Sequence, residues 1–202
     1  MDLIVTIVRH GNTFDAGQQL RRIGARTDLP LVASGLDQAD ALGAEFAEQG
    51  LTFDRALAAP LLRTRTTIDR ILARQPQAPV VESTDWLTEI DHGPDEGQVD
   101  SQVVARIGHD ALAAWDSDAR APDGWIVDAD RRIRGWRGLW KTGRGRVLIV
   151  TSNGAARFAL LSDQGLRGQA SGLPSLKLRT GAFGSIVRTQ GELRLVAWDQ
   201  RP

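Results

Sequence analysis

The 202-residue sequence has no cysteine, no excess of charge of either sign and no long apolar run. Without cysteine, disulfides, thiolate catalysis and cysteine-ligated metals are excluded. The 25 basic and 25 acidic residues cancel, so no overall field favours nucleic acid or a membrane surface, and any anion site must be local. No stretch approaches the roughly 18 apolar residues of a membrane span. We therefore expect a soluble cytoplasmic protein without nucleic-acid or membrane partners.

Histidine is also scarce. The three histidines, His10, His92 and His109, do not have the spacing of metal ligands. The basic run at 141–146 is most simply a basic helix end and a turn before a strand. The sequence thus predicts neither a metal nor an organic cofactor, and it gives no indication of oligomeric state.

Short apolar runs alternate with helical stripes along the chain. The predicted strands cover residues 3–8, 55–58, 79–82, 146–151, 176–178, 184–189 and 193–198. Ser34 is the predicted N-cap of a helix after the first strand, and Pro60 fits the first turn of a second helix. This order of elements predicts an α/β fold with an open, mostly parallel sheet flanked by helices on both faces.

One stretch breaks the alternation of strands and helices. Residues 98–142 contain two helical patterns separated by a loop and hold four of the six tryptophans. We interpret this stretch as a helical cap insertion within a single domain that spans residues 1–202. Its tryptophans either pack in the core or line the mouth of a substrate site.

Charged and polar side chains follow two of the predicted strands. Arg9 and His10 come directly after the first strand, and Ser152 and Asn153 directly after the strand at 146–151. Ligands of open α/β sheets bind beyond the carboxyl ends of the strands, so both pairs are expected to face one crevice. Arg63 opens a helix at the same edge. Two guanidinium groups around an imidazole suit a phosphate better than a neutral ligand.

Three segments in this order resemble the histidine phosphatase superfamily, which includes phosphoglycerate mutases and phosphomonoesterases. They are Arg9-His10-Gly11, Pro60-Leu61-Leu62-Arg63 and Leu87-Thr88-Glu89-Ile90. The resemblance covers nearly the whole chain, although Ala59 replaces a serine that usually precedes the second segment. It implies a phosphoglycerate mutase-like fold.

The resemblance also implies a role for each matching residue. His10 would be the nucleophile that forms a phosphohistidine, Arg9 and Arg63 would offset the charge of the phosphoryl group, and Glu89 would be the general acid. The alternative for Glu89 is that it belongs, with Asp91, Asp95 and Glu96, to an acidic turn that is simply solvated. The expected substrate-binding residues are Asn12, Arg21, Arg22, Asn153 and Gly154. Arg21 and Arg22 either recognise a second anionic group or belong to a solvated loop.

The main departure from the family pattern is Asn153, because the superfamily has serine-histidine-glycine there. An asparagine amide still donates hydrogen bonds but carries no charge. We therefore expect a phosphomonoester hydrolase that uses a phosphohistidine, acts on a small phosphorylated metabolite and has altered or reduced activity. The alternatives are a non-catalytic protein that binds a phosphorylated ligand and a phosphoglycerate mutase.

Overall fold

The computed structural model describes residues 2–202, which form one six-stranded sheet with helices around it. The strands are β1 (Leu3–Arg9), β2 (Arg55–Ala58), β3 (Val81–Ser83), β4 (Gly145–Thr151), β5 (Phe183–Thr189) and β6 (Glu192–Gln200). The helices are α1 (Ala33–Glu48), α2 (Leu62–Leu72), α3 (Asp100–Asp118), α4 (Ala129–Thr142), α5 (Asn153–Ala156), α6 (Phe158–Leu161) and α7 (Gln164–Ala170). Across the described range, every helix is too short or too polar to cross a membrane.

The strands lie in the order β3-β2-β4-β1-β5-β6. β1 pairs in parallel with β4, and β2 in parallel with both β3 and β4, whereas β5 and β6 are antiparallel additions at one side. The two apolar runs that predicted doubly buried strands form the neighbours β1 and β4. The prediction of an open, mostly parallel α/β sheet is confirmed.

The sheet separates two apolar clusters, because side chains along a strand alternate between its faces. On one face, Leu3 and Ile7 of β1 pack in a cluster that includes Trp136 of α4. On the other face, Val8 packs with Phe46 of α1. The helices thus cover both faces and leave the carboxyl ends of the central strands for the site described below.

The segment 98–142 contains α3 and α4, which occupy different places. α4 buries Trp136 and Trp140 in the larger cluster, with the ring of Trp86 packed edge-on 5.0 Å from that of Trp136. α4 therefore belongs to the helical layer against the sheet, and only α3 lies over the carboxyl-end cleft. α3 is bent at Gly108, whose φ of 79° lies in the left-handed region that favours glycine.

Two local predictions are wrong for the same reason. Ser34 is not the N-cap of α1: Val32 takes that place, and the Ser34 hydroxyl accepts a hydrogen bond from Asn12 Nδ2 at 3.1 Å. Residues 176–178 do not form a strand. Their backbone groups bind side chains rather than a neighbouring strand, and those of Leu178 bind Arg9 and Asn153 at the ends of β1 and β4. In both cases a contact distant in sequence overrides the local pattern.

A glutamine side chain covers the edge strand β6. Gln169 of α7 donates from Nε2 to the Leu193 carbonyl at 3.0 Å and accepts from the Leu195 N–H at 2.8 Å. The amide thus occupies backbone groups that an added strand would otherwise pair with.

Candidate active site

The ends of β1 and β4 meet as the sequence predicts. Arg9 is in register with Thr151, and the His10 N–H donates to the Thr151 carbonyl at 3.1 Å. A cleft of about 950 Å³ opens there, and its inner end is lined by Arg9, His10, Glu89 and Asn153. The predicted nucleophile, acid and polar partner therefore share one cavity.

Two glycines let the loop after β1 lie directly against the first turn of α1. A Cβ on Gly11 would lie 2.2 Å from the carbonyl oxygen of Gly35, and a Cβ on Gly35 would lie 2.2 Å from that of Asn12. Both distances are far below van der Waals contact with backbone atoms. The glycine after His10 is thus required for the close approach that fixes the loop.

His10 has one side-chain hydrogen bond, from Nδ1 to its neighbour's carbonyl, Gly11 O, at 2.8 Å. A carbonyl only accepts, so Nδ1 carries the proton and Nε2 carries the lone pair. Burial of the ring, which is 4% exposed, and the charges of Arg9 and Arg63 hold the pKa of His10 well below its ordinary value of 6.5. The imidazole is therefore neutral at neutral pH, and its Nε2 is unprotonated.

Arg9 is anchored by the loop before β5. Its Nη1 donates to the Leu178 carbonyl at 2.7 Å, while its buried Nε has no protein partner. Burial lowers the pKa of Arg9 even though Glu89 opposes the shift, yet a guanidinium stays charged at neutral pH. Arg9 thus places a fixed positive charge beside His10.

Arg63 is fully buried and does not contribute to the wall of the cleft. It donates from Nη1 to the Thr27 carbonyl at 2.6 Å and from Nη2 to the Gly24 carbonyl at 3.1 Å. Burial lowers its pKa, and its charge in turn lowers that of His10. In this structure Arg63 acts on His10 through its field and holds the loop at 24–27.

That loop is held from its other side by Glu96. Glu96 Oε1 accepts from the Gly24 N–H at 2.8 Å and from the Thr27 hydroxyl at 2.7 Å, while Oε2 lies 3.6 Å from His92 Nδ1. Burial alone would raise the pKa of Glu96, but the hydrogen bonds from His92, Thr27 and Gly24 lower it to about 2. Glu96 is a buried anion that orders the partners of Arg63.

Glu89 is 7% exposed and is held by backbone amides. Its Oε1 accepts from the Ile90 N–H at 2.9 Å and its Oε2 from the Gly154 N–H at 3.2 Å. A Cβ on Gly154 would lie 2.3 Å from Oε1, so the glycine leaves the space that the carboxylate occupies. Gly154 therefore positions Glu89 through its amide and its lack of a side chain.

Asn153 has a defined amide orientation. Its Oδ1 accepts from the Leu178 N–H at 2.9 Å, and only the oxygen end of an amide accepts. The Nδ2 group, with two N–H bonds, is thus the other end of a side chain that lines the cleft. Because the Leu178 carbonyl binds Arg9, a single residue aligns both Arg9 and Asn153.

Asn12 lines the cleft, but both ends of its amide bind protein. Nδ2 donates to the Ser34 hydroxyl, and Oδ1 accepts from the Thr180 hydroxyl. These bonds hold the loop after β1 in place. A direct contact with phosphate stays a prediction for Asn12.

Arg21 and Arg22 line the outer part of the cleft. Arg21 donates to the Gly97 carbonyl at 2.9 Å, and Arg22 forms a 2.9 Å ion pair with Asp100. The Arg22 guanidinium also lies 5.2 Å from the centre of the Trp125 ring. Both arginines already have partners within the protein, and recognition of a second anion stays a prediction.

Sequence reasoning missed Leu178 and Arg157. Leu178 acts through its peptide groups, for which a side-chain pattern gives no signal. Arg157 is fully buried and its guanidinium lies 4.4 Å from the centre of the Trp115 ring, near the cleft. Burial lowers its pKa to about 10 against the opposing charge of Asp116. A lone arginine in an apolar helical run was the available signal.

Comparison with known families gives a match over almost the whole chain. The family model described as "Histidine phosphatase superfamily (branch 1)" matches residues 5–201. The chain therefore belongs to the histidine phosphatase superfamily.

The similar proteins within the superfamily include mutases and phosphatases. A 2,3-bisphosphoglycerate-dependent phosphoglycerate mutase of Borreliella burgdorferi is 27% identical over 129 residues, which are 63% of this chain and 51% of that protein. One from Bacteroides fragilis is 28% identical over 112 residues, 55% of this chain and 44% of that one. The chain thus spans about half the length of the curated relatives it matches.

Solved structures show the same fold at low identity. A mycobacterial glucosyl-3-phosphoglycerate phosphatase superposes with a TM-score of 0.77 at 21% identity, over 98% of this chain and 99% of that one. A putative alpha-ribazole-5'-P phosphatase from Escherichia coli gives a TM-score of 0.74 at 21% identity, over 98% and 97%.

Proposed function

We propose that the protein is a phosphomonoester hydrolase that acts through a phosphohistidine on His10. The observation that supports this most directly is the bond from His10 Nδ1 to Gly11, since it leaves a neutral, buried imidazole with its lone pair on Nε2. A neutral imidazole is a nucleophile near physiological pH. The superfamily membership is consistent with this chemistry.

In the first step, the Nε2 lone pair of His10 forms a bond to phosphorus as the ester P–O bond breaks. Glu89 donates a proton to the departing alcohol oxygen. In the second step Glu89 takes a proton from water, the water oxygen bonds to phosphorus, and the P–N bond breaks to release phosphate. Arg9 and Arg63 offset the negative charge of the transferring group. No step calls for a metal ion.

In this proposal, Asn153 is the residue that lowers the rate of hydrolysis. Its Nδ2 would donate to a phosphoryl oxygen without adding positive charge, in the place where the family pattern has a histidine. Loss of one preorganised donor typically costs about 10² to 10³ in turnover, and here the loss is partial. Slower hydrolysis rather than inactivity is the expected result.

The test is hydrolysis of p-nitrophenyl phosphate by the wild type, His10→Ala and Asn153→His. We expect measurable turnover by the wild type, none above background with His10→Ala, and faster turnover with Asn153→His. Equal background rates for the wild type and His10→Ala, with both binding vanadate, would instead identify a non-catalytic phosphate-binding protein.

A second measurement detects the intermediate. Brief reaction with a ³²P-labelled ester, followed by alkaline denaturation because phosphohistidine is acid-labile, is expected to label the wild type at His10. The label should be missing from His10→Ala. Label on any other residue would contradict the proposed nucleophile.

A further inference from the structure

The outer walls of the cleft carry a group of apolar side chains as well as charged ones. One wall comes from α3 and the other from the loop between β1 and α1. The apolar side chains that line them are Phe14, Leu20, Ile23, Val104, Leu112 and Trp115. Among them, Leu20 is 64% exposed in the free protein. Ligand pockets are commonly lined by apolar and aromatic side chains, so this group is suited to hold an apolar part of a substrate.

The cations around these walls are engaged by the protein's own oxygen atoms. Three of them form ion pairs: Lys177 with Asp116 at 2.6 Å, Arg22 with Asp100 at 2.9 Å, and Arg179 with Asp199 at 2.7 Å. The other two donate to backbone carbonyls: Arg21 to Gly97 at 2.9 Å, and Arg201 to Thr180 at 3.1 Å. For the three ion-paired cations, a carboxylate already offsets the charge that a second anionic group on a substrate would bind.

We propose that the substrate is a phosphate monoester whose alcohol portion is apolar and has no second anionic group. The inference rests on the proposed function, because the phosphate must enter the end of the cleft that holds His10 and Arg9. The alcohol then lies between Leu20 and Leu112. Recognition by Arg21 and Arg22 of a doubly anionic substrate is the opposing expectation.

Three primary alkyl phosphates decide between these expectations. Hexyl phosphate is apolar, glycerol 3-phosphate is polar and uncharged in its alcohol, and 3-phosphoglycerate adds a carboxylate. Each buried methylene improves binding by roughly fourfold, so kcat/KM for hexyl phosphate is expected to exceed that for glycerol 3-phosphate by at least about tenfold. A higher kcat/KM for 3-phosphoglycerate than for hexyl phosphate would overturn the inference.

Variants then connect the preference to the walls. Leu20→Asn and Leu112→Asn are expected to lower kcat/KM for hexyl phosphate by about fivefold to tenfold and to leave that for glycerol 3-phosphate nearly unchanged. Because Leu20 is exposed in a loop, its substitution does not endanger folding. Val196→Asn, on β6 away from the cleft and 49% exposed, is the matched control and should change neither value.

The two levels of the proposal fail in different ways. If p-nitrophenyl phosphate labels His10 but the alkyl series shows no preference for hexyl phosphate, or the two leucine variants behave like Val196→Asn, only the inference about the alcohol is wrong. If no ester is hydrolysed and His10 is never labelled, the proposed hydrolase is wrong and the inference fails with it.

Discussion

A substitution at Gly154 is expected to displace the proposed acid, Glu89, without a loss of folding stability. An alanine at this position would place its Cβ 2.3 Å from Oε1 of Glu89, whereas ordinary van der Waals contact begins at 3.4 Å. The carboxylate must therefore retreat by about 1.1 Å, the difference between these two distances. It is the end of a rotatable side chain, so it moves before the backbone does.

The size of the effect follows from this displacement. A misplacement of about 1 Å in a catalytic group costs on the order of 10²-fold in rate, and we expect Gly154→Ala to lower kcat for p-nitrophenyl phosphate by about that factor. Folding should change little, because the position is helical, in α5, and alanine favours a helix over glycine by up to about 1 kcal/mol.

The assay measures kcat, KM and the midpoint of urea unfolding for each variant. Gly168→Ala in α7 is the matched control, since a Cβ there meets no atom within 4 Å. It should retain wild-type kcat and gain slightly in stability. Gly154→Ala should also accept label on His10 and release it slowly, because Glu89 activates the water of the second step.

Wild-type kcat in Gly154→Ala would refute the reasoning. It would mean that Glu89 does not take part in the rate-limiting step or that its position tolerates a shift of this size. A fall in kcat accompanied by an equal loss of folded protein would instead make Gly154 a packing residue.

Three further predictions concern neighbouring positions. Asn153→Asp keeps an acceptor for the Leu178 N–H but replaces the Nδ2 donor by a negative charge. We therefore expect kcat/KM to fall by at least about 10²-fold without a change in the thermal midpoint. An unchanged kcat/KM would exclude contact between residue 153 and the phosphate. Gly35→Ala should destabilise folding by about 1 to 3 kcal/mol in urea titrations, because its Cβ would meet backbone atoms of Asn12; wild-type stability would show that the loop moves freely. The pKa of His10 lies below the 6.5 of the unfolded chain, so its contribution to stability is full above pH 6.5 and is lost as pH falls toward the folded value, at up to about 1.4 kcal/mol per pH unit. His10→Gln should therefore lose less unfolding free energy than the wild type between pH 6.5 and 5, and parallel pH curves for the two proteins would contradict the neutral imidazole.

The sheet and the inner end of the site follow from local features of the sequence. The apolar runs of β1 and β4 are long enough to identify central strands, and the polar residues after them must then share one edge. The place of Arg9, His10 and Asn153 could therefore be predicted without coordinates.

The supporting contacts could not be predicted, because they join distant parts of the chain through backbone groups. Arg63 binds carbonyls 36 and 39 residues earlier, and Glu96 binds the Gly24 amide across 72 residues. Periodicity describes which face of an element is buried, but it does not say which carbonyl a buried guanidinium meets. The arginine was therefore expected in the cleft, whereas it lies outside the cleft wall.

The hydrogen bond between Arg9 and Leu178 joins residues that are 169 positions apart. During synthesis β1 and its histidine leave the ribosome long before residue 178, so for most of that time Arg9 and Asn153 have no anchor. Contacts of such long sequence separation form late and slowly in folding. An incompletely folded chain thus exposes the imidazole without an ordered anion site, and phosphate affinity becomes a sensitive measure of whether the last part of the fold has docked.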